Sequence, residues 1–228
     1  MQKTIRTAFI NSLTIFPGYM VLGIGFGILL NDIGYGPIAC LMASGLIYAG
    51  SMQYVMISLI STGASIIQTA LMTLMVNIRH LFYGISMLNK YKNTEPYKPY
   101  LIFGLTDETF SIVVRDNLDE DIDKNKFYLY ITLFDQMWWV LGSMFGNILG
   151  NIIPFNTTGI DFSMTALFVV IVVSQWESNK DHIPAIVGLT ETAICLFIFG
   201  TQNFLIPSMI AISITLLVYN KVKERKHE

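Results

Sequence analysis

The sequence predicts an all-α, polytopic helical membrane protein. Three observations carry that reading. Hydrophobic residues make up 53% of the 228, charged residues only 13%, and most of the charge lies between long apolar runs or at the ends. A soluble domain carries about 25% charged residues, so this chain has too few for an aqueous exterior. Its mean hydropathy is +0.55.

In windows of about 19 residues, eight hydrophobic segments stand out: Leu13–Leu30, Pro37–Ile60, Ala64–Met87, Tyr100–Val114, Phe127–Ile153, Phe162–Trp176, Ile183–Gly200 and Phe204–Tyr219. They fill most of the chain, so residues 1–228 read as one transmembrane domain, with 221–228 as a basic cytoplasmic tail. Lys3 and Arg6 precede the first segment, but Pro17-Gly18 and the lack of a small-residue cleavage site argue against a cleaved signal peptide. Cys40 and Cys195 are isolated and imply neither a disulfide framework nor a metal site. The net charge of -2 carries no signal for nucleic acid.

Lys and Arg in short loops set orientation. With all eight segments crossing and the N-terminus inside, ten lie in the cytoplasm, and Lys90, Lys92 and Lys98 lie outside. The fourth segment, as a helix, reaches only about 22 Å against about 30 Å of hydrocarbon. If it enters and returns, with the N-terminus outside, seven segments cross and only Lys3 and Arg6 lie outside. Both arrangements put the C-terminus in the cytoplasm. The second turns Phe26-Gly27 followed by Ala49-Gly50-Ser51-Met52-Gln53, and Phe145-Gly146 followed by Val173-Ser174-Gln175, into inverted three-helix repeats of the kind secondary transporters use. Chance similarity between apolar helices is the other account.

The first segment holds Pro17-Gly18 and then Gly23, Gly25 and Gly27. A break at Pro17-Gly18 would turn backbone groups toward a cavity; the later glycines suit either such a cavity or close helix packing. In the second segment Gly45, Ala49 and Gln53 share a face at spacings of four, beside Gly50 and Ser51. That patch either admits a ligand to hydrogen-bond with Gln53 or forms a packing seam.

The third segment reads Asn77-Ile78-Arg79-His80. A charge there costs several kcal/mol unless it faces a polar cavity or a partner. Asn77, His80 and Tyr83 form one stripe, and Arg79 lies about 100° around the axis from His80. Its planar fork suits a carboxylate ligand, or else it pairs with a buried acid. No second histidine stands at metal-ligand spacing.

Asp107 and Glu108 in the fourth segment, Asp135 in the fifth and Glu191 in the seventh are four intramembrane acids against one arginine. They cannot all be ionised cheaply, so at least one is expected to carry a proton, as a proton-coupled carrier requires. Alternatively, Asp107 or Glu108 pairs with Arg79, and Glu191 bonds to Thr190 or Thr192. Trp138-Trp139 either wall a pocket or pack.

Four runs together resemble the AzlC family, the large subunits of bacterial branched-chain amino-acid exporters: Phe16-Pro17-Gly18, Ser44-Gly45-Leu46-Ile47-Tyr48-Ala49-Gly50-Ser51-Met52-Gln53, Asn77-Ile78-Arg79-His80-Leu81-Phe82-Tyr83 and Thr106-Asp107-Glu108-Thr109-Phe110. Asp161-Phe162 with Ala166-Leu167-Phe168 is similar to that family's sixth-helix region. The resemblance runs from Phe9 to Gln175, and its specificity lies in order and spacing. It implies a secondary carrier in the cell membrane for leucine, isoleucine and valine, with methionine a further candidate. It also implies a small, separately encoded AzlD-type membrane subunit. Asp135 and Glu191 stand outside the family pattern.

The expected substrate-binding residues are Pro17, Gly18, Gly50, Ser51, Gln53, Asn77, Arg79 and His80, with Asp107 and Glu108 as proton-coupling acids. No cofactor or metal is expected. An intramembrane protease needs a Ser/His pair, paired aspartates or a metal motif; only Asp107 and Asp135 offer even a remote pairing, so an enzyme is not expected. A channel, which usually shows a filter or charged rings, and a carrier of another small solute are the rivals.

Overall fold

The computed structural model describes residues 2–114, 118, 121–152 and 181–224, and between these 162, 165, 166, 169, 172, 173, 176 and 177. Every regular element among the described residues is helical. The chain forms two compact units, Met1–Thr165 and Ala166–Glu228. The sixth segment's family motif and the Val173-Ser174-Gln175 half of the repeat lie outside the continuously described residues.

The spine of the first unit is a helix pair. α1 (Gln2–Ser12) turns through 59° into α2 (Phe16–Asp32), and both pack on α9 (Lys124–Ile152). The seam is glycine on glycine. A Cβ on Gly23 would stand 2.9 Å from the Ser143 backbone nitrogen, and one on Gly142 would stand 3.0 Å from the Tyr19 carbonyl. Cβ atoms on Gly27 and Gly146 would run into the opposing backbone. Small residues are how helices approach closely where no hydrophobic effect drives them together.

The paired numbers rise together: Phe9 meets Phe134, Phe16 meets Trp138, Gly27 meets Asn147, and Asn31 meets Gly150. α2 and α9 are therefore parallel, and these two Phe-Gly helices are not related by inversion. α1 joins the seam through Thr4, Ala8 and Ser12, small buried residues four apart.

Several helix starts follow from local chemistry. Pro17 occupies the first turn of α2, where its missing N–H costs nothing. The expected break therefore falls before Pro17-Gly18, at Leu13–Ile15. Asp123 accepts from the Lys126 N–H at 3.2 Å as α9 begins, and the Lys126 contacts hold its carboxyl below the ordinary 3.8. Gly34, at φ 90°, closes α2 as the Tyr35 N–H returns to the Leu30 carbonyl.

Two hairpins lean on this spine from opposite ends. The second segment was expected to be one helix, but the structure breaks it. α3 (Pro37–Met42) and a wider π turn, Ala43–Ile47, run antiparallel to α9. The Cys40 thiol donates to the Ser143 carbonyl, and Gln136 donates to the Gly45 carbonyl at 2.8 Å. At Tyr48, in the left-handed region at φ 43°, the chain reverses. α4 (Gly50–Ser61) then climbs back, so that the Tyr54 hydroxyl donates to the Leu22 carbonyl at 2.5 Å. The reversal corrects the expected shared face of Gly45, Ala49 and Gln53, because only a continuous helix would align them.

α5 (Ile66–Asn77), started by a Ser65–Gln68 capping box, and α6 (Arg79–Met87) are interrupted at Ile78. The stripe of Asn77, His80 and Tyr83 is divided accordingly, and Tyr83 stacks on Phe110 at 4.6 Å. The fourth segment is the second hairpin. α7 (Lys98–Phe103) enters, the chain turns at Gly104–Thr106, and α8 (Asp107–Val113) returns. Lys90 donates to the Val113 and Val114 carbonyls at 3.0 and 2.9 Å, and Asn125 donates to the Asn93 carbonyl at 2.8 Å. Both mouths of this hairpin and the start of α9 thus lie at one end of the spine, where Lys3 also reaches Asp121 at 3.2 Å.

The outer faces are apolar. Ile66 is 88% exposed and Ile67 73%, unfavourable in water and natural against lipid. In the second unit α10 (Ile183–Asn203), bent at Gly200, packs on α11 (Leu205–Glu224), and its Ile183–Gly200 stretch is long and apolar enough to cross a membrane. Glu191 accepts from Thr215 of α11 at 2.5 Å rather than from its neighbours, while Thr190 donates to its own helix at Ile186.

Candidate functional site

The tips of the two hairpins and the break in α5–α6 converge. Arg79, the first residue of α6, donates from Nη2 to the Ser51 hydroxyl at 2.5 Å and pairs through Nη1 with Asp107. One guanidinium thereby joins the first turn of α4, the start of α6 and the start of α8. The pair is sheltered but reachable: the side chains are 26% and 23% exposed. Glu108, one residue on, does not face Arg79; it accepts from the Tyr19 hydroxyl of α2 at 2.8 Å.

The helix starts explain the polarity. Thr106 caps α8 by accepting from the Thr109 N–H at 3.3 Å. α4 has no side-chain cap, so its first N–H groups, and the partial positive charge they sum to, point to the meeting place beside Arg79. Gly50 packs against the Trp139 ring, which a Cβ would meet at 3.2 Å. Trp139 in turn packs on Tyr19 and Phe26, while Trp138 packs on Phe16 and donates to Ser12.

Of the expected site residues, Gly50, Ser51, Arg79 and Asp107 are brought together. Gln53 lies one turn along α4, fully buried, and neither of its amide atoms has a hydrogen-bond partner among the described residues. Asn77 ends α5, and its carbonyl lies 3.2 Å from His80 Nδ1. His80 packs edge-on to Tyr83 at 5.8 Å. Pro17 and Gly18 are exposed in the first turn of α2, and the structure does not bring them to Arg79. Asn77, Ile78, His80 and Leu105 border a cavity of about 640 Å³ that Leu74, Leu81, Ile85 and Ile102 make apolar.

Tyr19, Thr106 and Thr109 were not anticipated as site residues. The Tyr19 and Thr106 oxygens lie 2.7 Å apart, and Thr109 donates to the fully buried Asp135 at 2.7 Å. Thr106-x-x-Thr109 before an apolar turn was a visible capping signal. Nothing local marked Tyr19.

The AzlC protein family profile matches residues 14–153, the stretch that builds the spine, both hairpins and the Arg79 centre. The chain belongs to the AzlC family. It is 43% identical over 96% of its length, and 87% of the relative's, to the branched-chain amino acid transport protein AzlC of Bacillus subtilis. It is 36% identical over 100% of its length, and 94% of the relative's, to an uncharacterized membrane protein of Haemophilus influenzae. To the inner membrane protein YgaZ of Escherichia coli it is 26% identical over 75% of its length and 72% of that protein's. No solved structure matches this AzlC-family chain.

Proposed function

We propose that this protein exports branched aliphatic amino acids, as the large subunit of a two-part carrier in the cell membrane driven by the proton motive force. The observation that carries the reading is Arg79, tied to Asp107 where the two hairpin tips meet. A substrate carboxylate is a better bidentate partner for the guanidinium than one oxygen of Asp107. Bound there, it also lies beside the uncapped start of α4 at Gly50 and Ser51. Displaced Asp107 then faces the substrate's ammonium group or accepts a proton. The amide of Gln53, which has no partner among the described residues, supplies further hydrogen bonds. The apolar cavity beside Ile78 and Leu105 accommodates a branched side chain.

The basic residues support an orientation. Lys3, Lys90, Lys92, Lys98, Lys124 and Lys126 all belong to segments gathered at the start of α9, whereas Asn31–Gly36 and Ser61–Gly63 carry no Lys or Arg. By the charge rule the first end is cytoplasmic. In this unit α2, the α5–α6 pair and α9 then cross, while the second and fourth segments enter and return. The basic residues Lys221 and Lys223 after the last segment favour a cytoplasmic C-terminus.

The leucine class draws on the Bacillus relative's name. Export, proton drive and the AzlD-type partner draw on the family resemblance. Cells expressing this chain with such a partner should survive toxic leucine analogues and hold less internal leucine than controls, while the chain alone should do little. Equal internal leucine with both subunits at confirmed membrane levels would sink the proposal and make a carrier of another small solute the leading reading.

A further inference from the structure

Glu108 and Asp135 sit on different helices, yet an unbroken line of hydroxyls joins them. Tyr19 donates to Glu108 Oε2 at 2.8 Å, and its oxygen lies 2.7 Å from Thr106 Oγ1. Thr106 Oγ1 lies 3.2 Å from Thr109 Oγ1, and Thr109 donates to Asp135 Oδ2 at 2.7 Å. Every member except the half-sheltered Thr106 and Glu108 is buried. Asp135 makes no ion pair among the described residues, so an ionised carboxylate there stands without a counter-charge. Thr106 also caps α8, but capping requires neither the Tyr19 nor the Thr109 hydroxyl, and each of the three can accept one proton while giving up another.

We infer that Tyr19, Thr106 and Thr109 form a proton relay from Glu108 to Asp135, which makes Asp135 a proton store set back from the substrate centre. The inference rests on the carrier reading above and adds a route to it. Once Glu108 is protonated the Tyr19 hydroxyl turns from it toward Thr106, and in the forward step the Glu108 O–H bond breaks as its proton passes to the Tyr19 oxygen. The Tyr19 proton moves to Thr106, that of Thr106 to Thr109, and that of Thr109 to Asp135 Oδ2. Four O–H bonds break and four form, Asp135 becomes neutral, and Glu108 becomes the anion. The proton enters from water at the Arg79–Asp107 centre, and no other reactant is needed. The Thr106–Thr109 link, at 3.2 Å, is longer than the usual O–H···O range, so it is the slowest step. The titratable groups around the two ends are Asp107 and Tyr83 beside Glu108, Tyr100 beside Asp135, and Tyr48 near both. Arg79 adjoins the first end through Asp107.

The test uses the full chain in lipid vesicles. Infrared spectra after a rapid drop in pH follow the carboxylic C=O bands, assigned with Glu108→Gln and Asp135→Asn. The relay requires Tyr19→Phe and Thr109→Val each to slow protonation of Asp135 by about ten-fold or more, while Thr109→Ser stays within about two-fold of the native rate. Where the protein is assembled for transport, Thr109→Val should keep leucine exchange at equal pH but lose accumulation driven by a pH gradient. Asp135 protonating at the native rate in both hydroxyl-free variants, or never protonating, overturns the relay. The infrared arm contains no substrate. The expected band kinetics without any leucine movement in the native protein would therefore uphold the relay and reject the leucine carrier.

Discussion

The guanidinium of Arg79 is paired with the carboxylate of Asp107, so the single Lys or Arg inside the hydrophobic segments is neutralised by the first residue of a returning hairpin helix. A charge pair in an apolar surround is expensive to open without compensation. On the reading proposed above, a substrate carboxylate arriving at Arg79 would supply that compensation as Asp107 leaves. Bonded to Ser51 as well as Asp107, Arg79 ties the two hairpin tips together.

Arg79→Lys keeps the charge and loses the fork. Hydrogen bonds to a charged group contribute about 1.5–3 kcal/mol, so apparent leucine affinity should fall about ten- to hundred-fold. Membrane-inserted protein should stay at the native level, as a quantitative blot of the membrane fraction would check. Loss of the inserted protein would show that the pair is only a structural tie, and normal affinity would show that the fork is unused.

The glycine seam gives a sharper stability test. Gly27→Ala and Gly146→Ala each push a methyl group into the opposing backbone of the α2–α9 pair. Overpacking of this kind costs about 1–3 kcal/mol, and neither backbone can yield without moving a whole helix. Gly45→Ala meets nothing within 4 Å and serves as the control. Melting curves in detergent should drop for the first two variants and stay unchanged for the third.

The apolar segments were legible because hydropathy reads composition. Their paths were not, because an apolar stretch that crosses and one that enters and returns have the same hydropathy. The reversal in the second segment falls on Tyr48, a non-glycine residue in the left-handed region, so no turn residue announced it. The shortness of the fourth segment made a return one of two open readings, and the charge count alone did not choose between them. Arg79, Asp107 and Ser51 could be singled out because polar groups inside apolar runs are costly and need a reason. Tyr19 could not, since an aromatic residue in an apolar helix is ordinary until Glu108 is found at its hydroxyl. The small residues Thr4, Ala8 and Ser12 did carry a period of four, and that period marks the seam of α1.

The hairpin arrangement makes a prediction that neither a seven- nor an eight-crossing chain shares. Cys40 and Cys195 are buried and can be replaced by serine to give a cysteine-free background. Single cysteines are then introduced at Gln2, Glu95 and Lys124, and at Gly36 and Thr62, all exposed positions. Because Lys3 reaches Asp121 and Asn125 reaches the Asn93 carbonyl, the first three belong to one end of the spine. Because α3 and α4 form a hairpin whose tip is Tyr48, Gly36 and Thr62 belong together at the other end. A membrane-impermeant maleimide should label Gly36→Cys and Thr62→Cys in intact cells, and the other three only after the cytoplasmic face is opened. Eight crossings put Gly36 and Thr62 on opposite faces and move Glu95 outside. Seven crossings also separate Gly36 from Thr62, and they move Gln2 outside. Opposite labelling of Gly36 and Thr62 would therefore reject the entering hairpin, and with it the meeting of the α4 start with Arg79 from which the carrier reading begins.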